Sequence, residues 1–142
     1  LDNLNYLNDE LEQIDGIDVM AADDRITKQS AHLFIFRYNK EKFAGASKMQ
    51  FIEALRKEGV PTSPGYSIPL YTQPVFAKKA FGPRGRAVNI PIDYESVVCP
   101  ETEKACYQEA IWFTQNTLLG TGDDMADIVE AIEKIQENAT EL

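Results

Sequence analysis

The sequence predicts an α+β fold, a small and mainly antiparallel sheet of about three strands with helices packed on it. Two short runs with strand character, AHLFIFRY from Ala31 to Tyr38 and AIWFT from Ala110 to Thr114, are separated by segments of helical period. A chain of 142 residues, 44% apolar and 26% charged, has the size of one domain with an ordinary core. A third observation bounds that reading: all seven prolines lie between Pro61 and Pro100, in a stretch without regular apolar period. The expected organisation is a single domain over residues 1–142, with 61–98 as a long proline- and aromatic-rich loop.

Leu1, Leu4, Leu7, Leu11 and Ile14 recur at helical spacing, an apolar stripe on a helix that should stop at Asp15-Gly16. Ile17 to Met20 is short enough for an extended segment, and the polar run from Ala22 to Ser30 reads as loop. In AHLFIFRY, Leu33 and Ile35 point one way and Phe34 and Phe36 the other, which predicts a strand covered on both faces. Ser47 and Gln50 have the spacing of a capping box, in which the serine oxygen accepts from an otherwise unpaired helix N–H. They open a helix over Lys48 to Glu58, buried through Phe51, Ile52 and Leu55 and closed at Gly59. Val60 to Ser63 predicts a short strand. Pro100 suits a first helical turn and starts a helix to about Gln108, with Ala105 and Cys106 turned inward. Thr121 with Asp124 marks the start of a last helix, whose stripe of Met125, Ile128, Val129, Ile132 and Ile135 is continuous.

The net charge of −9 is unevenly placed: residues 1–24 carry eight acids and no base, and residues 123–142 seven acids against Lys134. Acidic ends argue against a nucleic-acid partner, whose phosphates need a basic footprint. Lys78, Lys79, Arg84 and Arg86 make the proline-rich stretch mildly cationic, which suits an acidic partner or a phosphate and equally a solvated loop. No apolar run approaches the roughly 18 residues of a membrane span, and no basic-then-apolar leader is present, so no membrane partner is expected. The start at Leu1, without methionine, suggests a fragment. Cys99 and Cys106 would stand roughly 10 Å apart along a helix, beyond disulfide reach. With His32 as the single histidine, no zinc-like cluster is expected, and a reducing, cytoplasmic compartment fits best.

A self-sufficient active site needs a nucleophile with its base, a metal cluster or a cofactor cradle. None is convincing here, and no catalytic, cofactor-binding or metal-ligating residue is assigned. His32 sits in an apolar strand and reads as structural. Gly120-Thr121-Gly122 precedes a helix, but Asp123-Asp124 would repel a phosphate, so it reads as an N-cap. Glu101, Glu103 and Glu109 read as a solvated helix face, and Trp112 as core. The remaining candidate runs from Ser63 to Pro74, where prolines fix the path, Gly65 permits a turn and tyrosines offer a ring face and a hydroxyl. Tyr66 and Tyr71 either anchor this loop or face a ligand.

Taken in order, AHLFIFRY, FIEALRKEGVPTSPGYSIPLYTQPVF, CPETEKACYQEAIWF and LLGTGDDMADIVEAIEKI resemble the C-terminal domain of the DegT/DnrJ/StrS family of pyridoxal-phosphate-dependent sugar aminotransferases. The match covers nearly the whole chain. Its most characteristic piece is the tyrosine-to-Pro-Leu turn at Tyr66 to Leu70, and Tyr71 to Phe76 is similar to members that aminate cyclitol ketones. The resemblance implies the small C-terminal domain of a fold-type-I aminotransferase, whose absent N-terminal domain carries pyridoxal phosphate on a Schiff-base lysine. It implies an amino group moving from glutamate or glutamine to a keto-sugar or keto-cyclitol, and a homodimer at full length. None of the nine lysines lies in the family's Schiff-base context, so no cofactor is expected on this chain alone. Tyr66, Tyr71 and Gln73 are the expected substrate-facing residues. The competing expectation is a regulatory or protein-interaction domain that stands alone without catalysis. Codons for a cofactor domain upstream of Leu1 would decide for the first, and an initiator codon directly before Leu1 for the second.

Overall fold

The computed structural model describes every residue except Ala22 and Asp24, and the loop expected at those two positions lies outside the described residues. The chain divides into two compact units, Leu1–Gly65 with Gln108–Leu142, and Tyr66–Tyr107.

The first unit is built on a three-stranded antiparallel sheet of order β1 (Ile17–Val19), β2 (Leu33–Tyr38), β3 (Ala110–Thr114). Register pairs Ile17 with Tyr38, Phe36 with Ile111 and Phe34 with Phe113, so one face presents a continuous buried set. The opposite face carries Leu33, Ile35 and Trp112 half-buried and Arg37 exposed. The cover expected on both faces of β2 is thus full on one and partial on the other, and Trp112, expected in the core, is half-buried. Its register partner is Ile35, and the period of two sends both away from Phe34, Phe36 and Phe113.

Helices α1 (Asp2–Leu11), α2 (Lys48–Lys57) and α5 (Gly122–Glu137) complete this unit, with α5 packed on both others. Leu7, Leu11, Phe51, Ile52, Leu55 and Ile132 are fully enclosed, each contributing on the order of 1.5–3 kcal/mol of transfer free energy. Tyr38, Phe43 and Phe51 form a ring trio at centroid distances of 4.5–5.1 Å, Tyr38 stacked on Phe51 and Phe43 edge-on to Phe51. The Tyr38 hydroxyl donates to the carbonyl of Ala46 at 2.9 Å, which satisfies the one polar atom that this ring buries. Burial pushes its phenol up to about 12. The expected capping box of Ser47 with Gln50 and the expected N-cap at Thr121 both form, the latter also as a full box with Asp124, and Gly59 closes α2 at φ 89°.

Two boundaries differ from expectation. Helix α1 stops at Leu11, because the amides of Gln13 and Ile14 bond three residues back to Glu10 and Leu11 and tighten the last turn. Ile14 still reaches the core, whereas Leu1 is 59% exposed. Gly16, at φ 93°, then turns the chain into β1, and a Cβ there would meet the Lys42 Cβ at 2.5 Å. Val60 to Ser63 forms no strand but a single bridge, with Ser63 and Trp112 exchanging backbone hydrogen bonds of 3.0 and 3.1 Å.

The second unit contains α3 (Pro74–Ala77), α4 (Pro100–Lys104) and short 3-10 turns at Leu70–Thr72, Pro83–Gly85 and Tyr94–Ser96. Its centre is an aromatic trio, with Phe76 facing Phe81 at 5.3 Å and Tyr94 at 5.2 Å, both edge-on. Val88 N donates to Lys79 O at 2.9 Å and Lys79 Nζ to Ile90 O at 3.2 Å, fastening the middle of the segment. The helix expected from Pro100 to about Gln108 forms in two parts, α-helical in α4 to Lys104 and π-helical over Ala105–Glu109. The wider turn changes which side chain faces inward. Glu109 is buried, whereas Ala105 and Cys106 are only half-buried. Among the described residues no helix is long and apolar enough to cross a membrane.

Candidate functional site

The three residues expected to face substrate do not stand together. Tyr66 is 73% exposed at the start of the second unit. Tyr71 lies in the Leu70–Thr72 turn, half-buried, with its hydroxyl donating to the Glu103 carboxylate on α4. That bond, with burial behind it, raises the Tyr71 phenol above its ordinary value, against an opposing contribution from the Cys99 backbone. Gln73 acts through its backbone, whose carbonyl accepts from the amides of Phe76 and Ala77 at 2.9 and 3.3 Å and starts α3.

Tyr71 does line a cleft of about 290 Å³, together with Thr72, Ala77, Tyr94 and Glu95. Tyr66 and Gln73 are not among its lining residues. The walls are well anchored. Thr72 Oγ1 donates to Pro69 O at 2.8 Å. Asp93 accepts from the Glu95 amide at 3.1 Å, and Ser96 Oγ donates to Asp93 O at 2.9 Å, which shapes the turn presenting Tyr94 and Glu95. Sequence reasoning missed Tyr94, Glu95 and Glu103, whereas Thr72 lay within the candidate run from Ser63 to Pro74. The Asp-x-x-Ser pattern after Pro91 could have marked that turn, but nothing local pairs it with Tyr71.

A second polar constellation belongs to the first unit. Arg37 on β2 holds Glu109 through contacts of 2.5 and 2.8 Å, the carboxylate side chain being 11% exposed. Glu109 is therefore no part of a solvated face, contrary to expectation, and of the three glutamates Glu101 alone is exposed. Lys48, the one buried lysine among the described residues, donates from Nζ to the carbonyls of Pro64 at 3.0 Å and Ala110 at 3.4 Å. Gly65, at φ 76°, passes so close to β3 that a Cβ would stand 3.2 Å from the Trp112 ring. These contacts fix Ser63–Gly65 against β3 and have the character of a structural clip.

His32 lies just before β2 and is exposed, where an apolar strand interior had been expected, because the strand begins only at Leu33. Among the described residues no group of His, Cys, Asp or Glu could hold a metal ion, and Cys99 and Cys106 are free. Of the nine lysines, Lys48 donates to two carbonyls, Lys42 pairs with Asp15 at 2.7 Å and Lys134 with Glu58 at 2.7 Å. None of the residues lining the Tyr71 cleft is a lysine.

Comparison with known proteins gives this arrangement a class. The model of the DegT/DnrJ/EryC1/StrS aminotransferase family matches residues 1–133, and the chain belongs to that family. It is 28% identical to a protein of Streptoalloteichus tenebrarius over 99% of this chain and 35% of that protein. It is 27% identical to one of Streptomyces kanamyceticus over 93% of this chain and 32% of that protein. Both are named as an L-glutamine:3-amino-2,3-dideoxy-scyllo-inosose aminotransferase. Among solved structures it resembles 3-amino-5-hydroxybenzoic acid synthase, at a TM-score of 0.70 and 18% identity over 96% of this chain and 33% of that one, a likeness of fold. The chain thus spans about a third of the length of the curated relatives it matches.

Proposed function

We propose that this chain is the C-terminal domain of a pyridoxal-phosphate-dependent aminotransferase that transfers an amino group from glutamine or glutamate to a keto-cyclitol or keto-sugar. The family match over residues 1–133 carries this reading. Relatives named for cyclitol amination, which extend to about three times the length of this chain, favour a cyclitol acceptor. In this reading the cofactor belongs to an N-terminal domain outside this chain, which the greater length of the relatives supports. When bound there, pyridoxal phosphate supplies the electron sink for amino transfer.

This domain's own part is to bind and orient. The proline-rich segment 61–98, with Tyr66, Tyr71 and Gln73 as its substrate-facing residues, lines the seam toward the cofactor domain and helps select the acceptor. Its exposed apolar side chains, among them Tyr66, Leu70, Val75 and Phe81, suit a surface covered in the whole enzyme. The whole enzyme is a homodimer of the cytoplasm in this reading, the latter supported by two free cysteines.

The test is to express the uninterrupted reading frame that contains this chain and supply pyridoxal phosphate, glutamine and scyllo-inosose. Formation of the aminated cyclitol is expected. A reading frame without any cofactor domain, or one that binds the cofactor and aminates no keto-cyclitol or keto-sugar, would overturn the proposal.

A further inference from the structure

We propose that Lys48 is a positioning residue for acceptor recognition: it clasps the neck through which the chain leaves the first unit at Gly65 and returns at Gln108, and so fixes how the chain enters the segment beyond. This rests on the aminotransferase reading, and in particular on Tyr66 facing the acceptor.

The backbone by itself closes that neck with a single pair. Ser63 and Trp112 exchange hydrogen bonds of 3.0 and 3.1 Å, and the bridge extends no further. Pro64 has no N–H with which to continue a ladder, and Gly65, at φ 76°, turns the chain where a Cβ would stand 3.3 Å from Ala110 O. Joining the ends of so long a segment costs entropy that one bridge offsets poorly. Side chains of the first unit supply further ties. On the entry strand, Arg56 donates from Nε and Nη2 to Thr62 O at 3.1 and 2.7 Å. On the return strand, Arg37 holds the Glu109 carboxylate. Lys48 bonds both strands at once, through Pro64 O at 3.0 Å and Ala110 O at 3.4 Å. The consecutive carbonyls of Thr62, Ser63 and Pro64 are thus taken by Arg56, Trp112 and Lys48.

The chemistry of Lys48 separates positioning from packing. Its side chain is buried, and a buried ammonium is unfavourable unless its donors are met. Packing alone would be served as well by a methionine of similar length. What the ammonium adds is several charge-assisted donors diverging from one atom, which suits two carbonyls on different strands. Lys48 stands on α2 one turn before Phe51 and Ile52, both fully enclosed, so the clasp takes its rigidity from the core. Tyr66 follows Pro64 by two residues. A neck held at Pro64 therefore fixes the path of the chain into Tyr66.

The first measurement is hydrogen exchange on the 142-residue chain. Lys48→Met should speed exchange of the Ser63 and Trp112 amides, whose bonds are the neck itself, and of residues 66–107 by at least about tenfold, while α5 keeps its protection. Ile52→Val, a small cavity on the same helix, should leave the ratio of neck to α5 protection unchanged. Should Lys48→Met fail to fold, Lys48→Arg, which keeps the charge on a longer side chain, is read in the same way. The second measurement uses the whole enzyme from the uninterrupted reading frame, with scyllo-inosose as acceptor. There Lys48→Met should raise the acceptor KM at least about fivefold and leave kcat and the glutamine KM within about twofold, and Ile52→Val should change none of the three. Exchange that rises uniformly, a neck that does not respond, or an equal rise in both KM values would each overturn the positioning role. An active enzyme whose acceptor KM ignores Lys48→Met sinks this role alone, whereas neck-selective exchange in a frame without aminotransferase activity keeps the clasp and sinks the broader reading.

Discussion

Phe36 and Phe81 both belong to three-ring aromatic clusters, yet the first is 1% exposed and the second 44%. The rings around Phe36 stand on paired strands, with Phe34 and Phe113 held by the β2–β3 register, and helices enclose that face. The rings around Phe81 stand on short turns of the Tyr66–Tyr107 unit. Similar ring chemistry thus gives a rigid core in one region and an accessible platform in the other. Stability in such a chain is not uniform, and the second unit should open first.

The largest expected effect tests that difference directly. Phe51→Ala removes a fully buried ring between Tyr38 and Phe43 and should cost about 3–5 kcal/mol of global stability in denaturant titration. Phe76→Ala in the second unit should cost about 1–2 kcal/mol, read as faster hydrogen exchange confined to residues 66–107. If Phe76→Ala lowered the global midpoint as much as Phe51→Ala, the two regions would be one cooperative structure and the comparison would fail.

Next in size is Arg37→Met, which leaves the buried Glu109 carboxylate without its guanidinium and should cost roughly 1–3 kcal/mol. A double-mutant cycle with Glu109→Gln should recover part of that loss, and strict additivity would show the pair to be inert. Thr121→Ala removes the cap of α5 and should cost about 1 kcal/mol, a loss that Thr121→Ser should largely avoid in thermal unfolding.

The smallest effect is alkaline. Burial lifts the Tyr38 phenol to about 12, so the unfolded chain releases this proton first, near the ordinary tyrosine value of about 10. Stability from the buried neutral phenol is fully present below that lower value and is lost as pH rises through the upper one. The Tyr71 phenol is raised too, chiefly by Glu103, and its hydrogen bond should likewise weaken with alkali. Tyr38→Phe should flatten the alkaline slope of the thermal midpoint and Tyr71→Phe should alter only exchange in the second unit. An unchanged slope in Tyr38→Phe would contradict the assignment.

The first unit was largely legible in the sequence because its signals are local and periodic. The α5 stripe, the two capping boxes and the strands AHLFIFRY and AIWFT each announce themselves within a few residues. The errors arose where tertiary bonding overrode the local pattern: α1 tightened at Leu11, the bulged turn after Lys104 buried Glu109, and Trp112 took the outer face. The candidate site was legible in two residues of its lining. Tyr71 and Thr72 lay in the candidate run among the prolines, but Tyr94 and Glu95 joined them only through the approach of two turns more than twenty residues apart.

Sequence alone determined the α+β class and the family, because periodicity, order of motifs and residue type are properties of the chain itself. Tertiary structure alone decided that Tyr71 gives its proton to Glu103 and that Arg37 meets Glu109 across 72 positions. Hydrogen-bond polarity depends on which partner each group has already found, and that is settled only when the chain is folded.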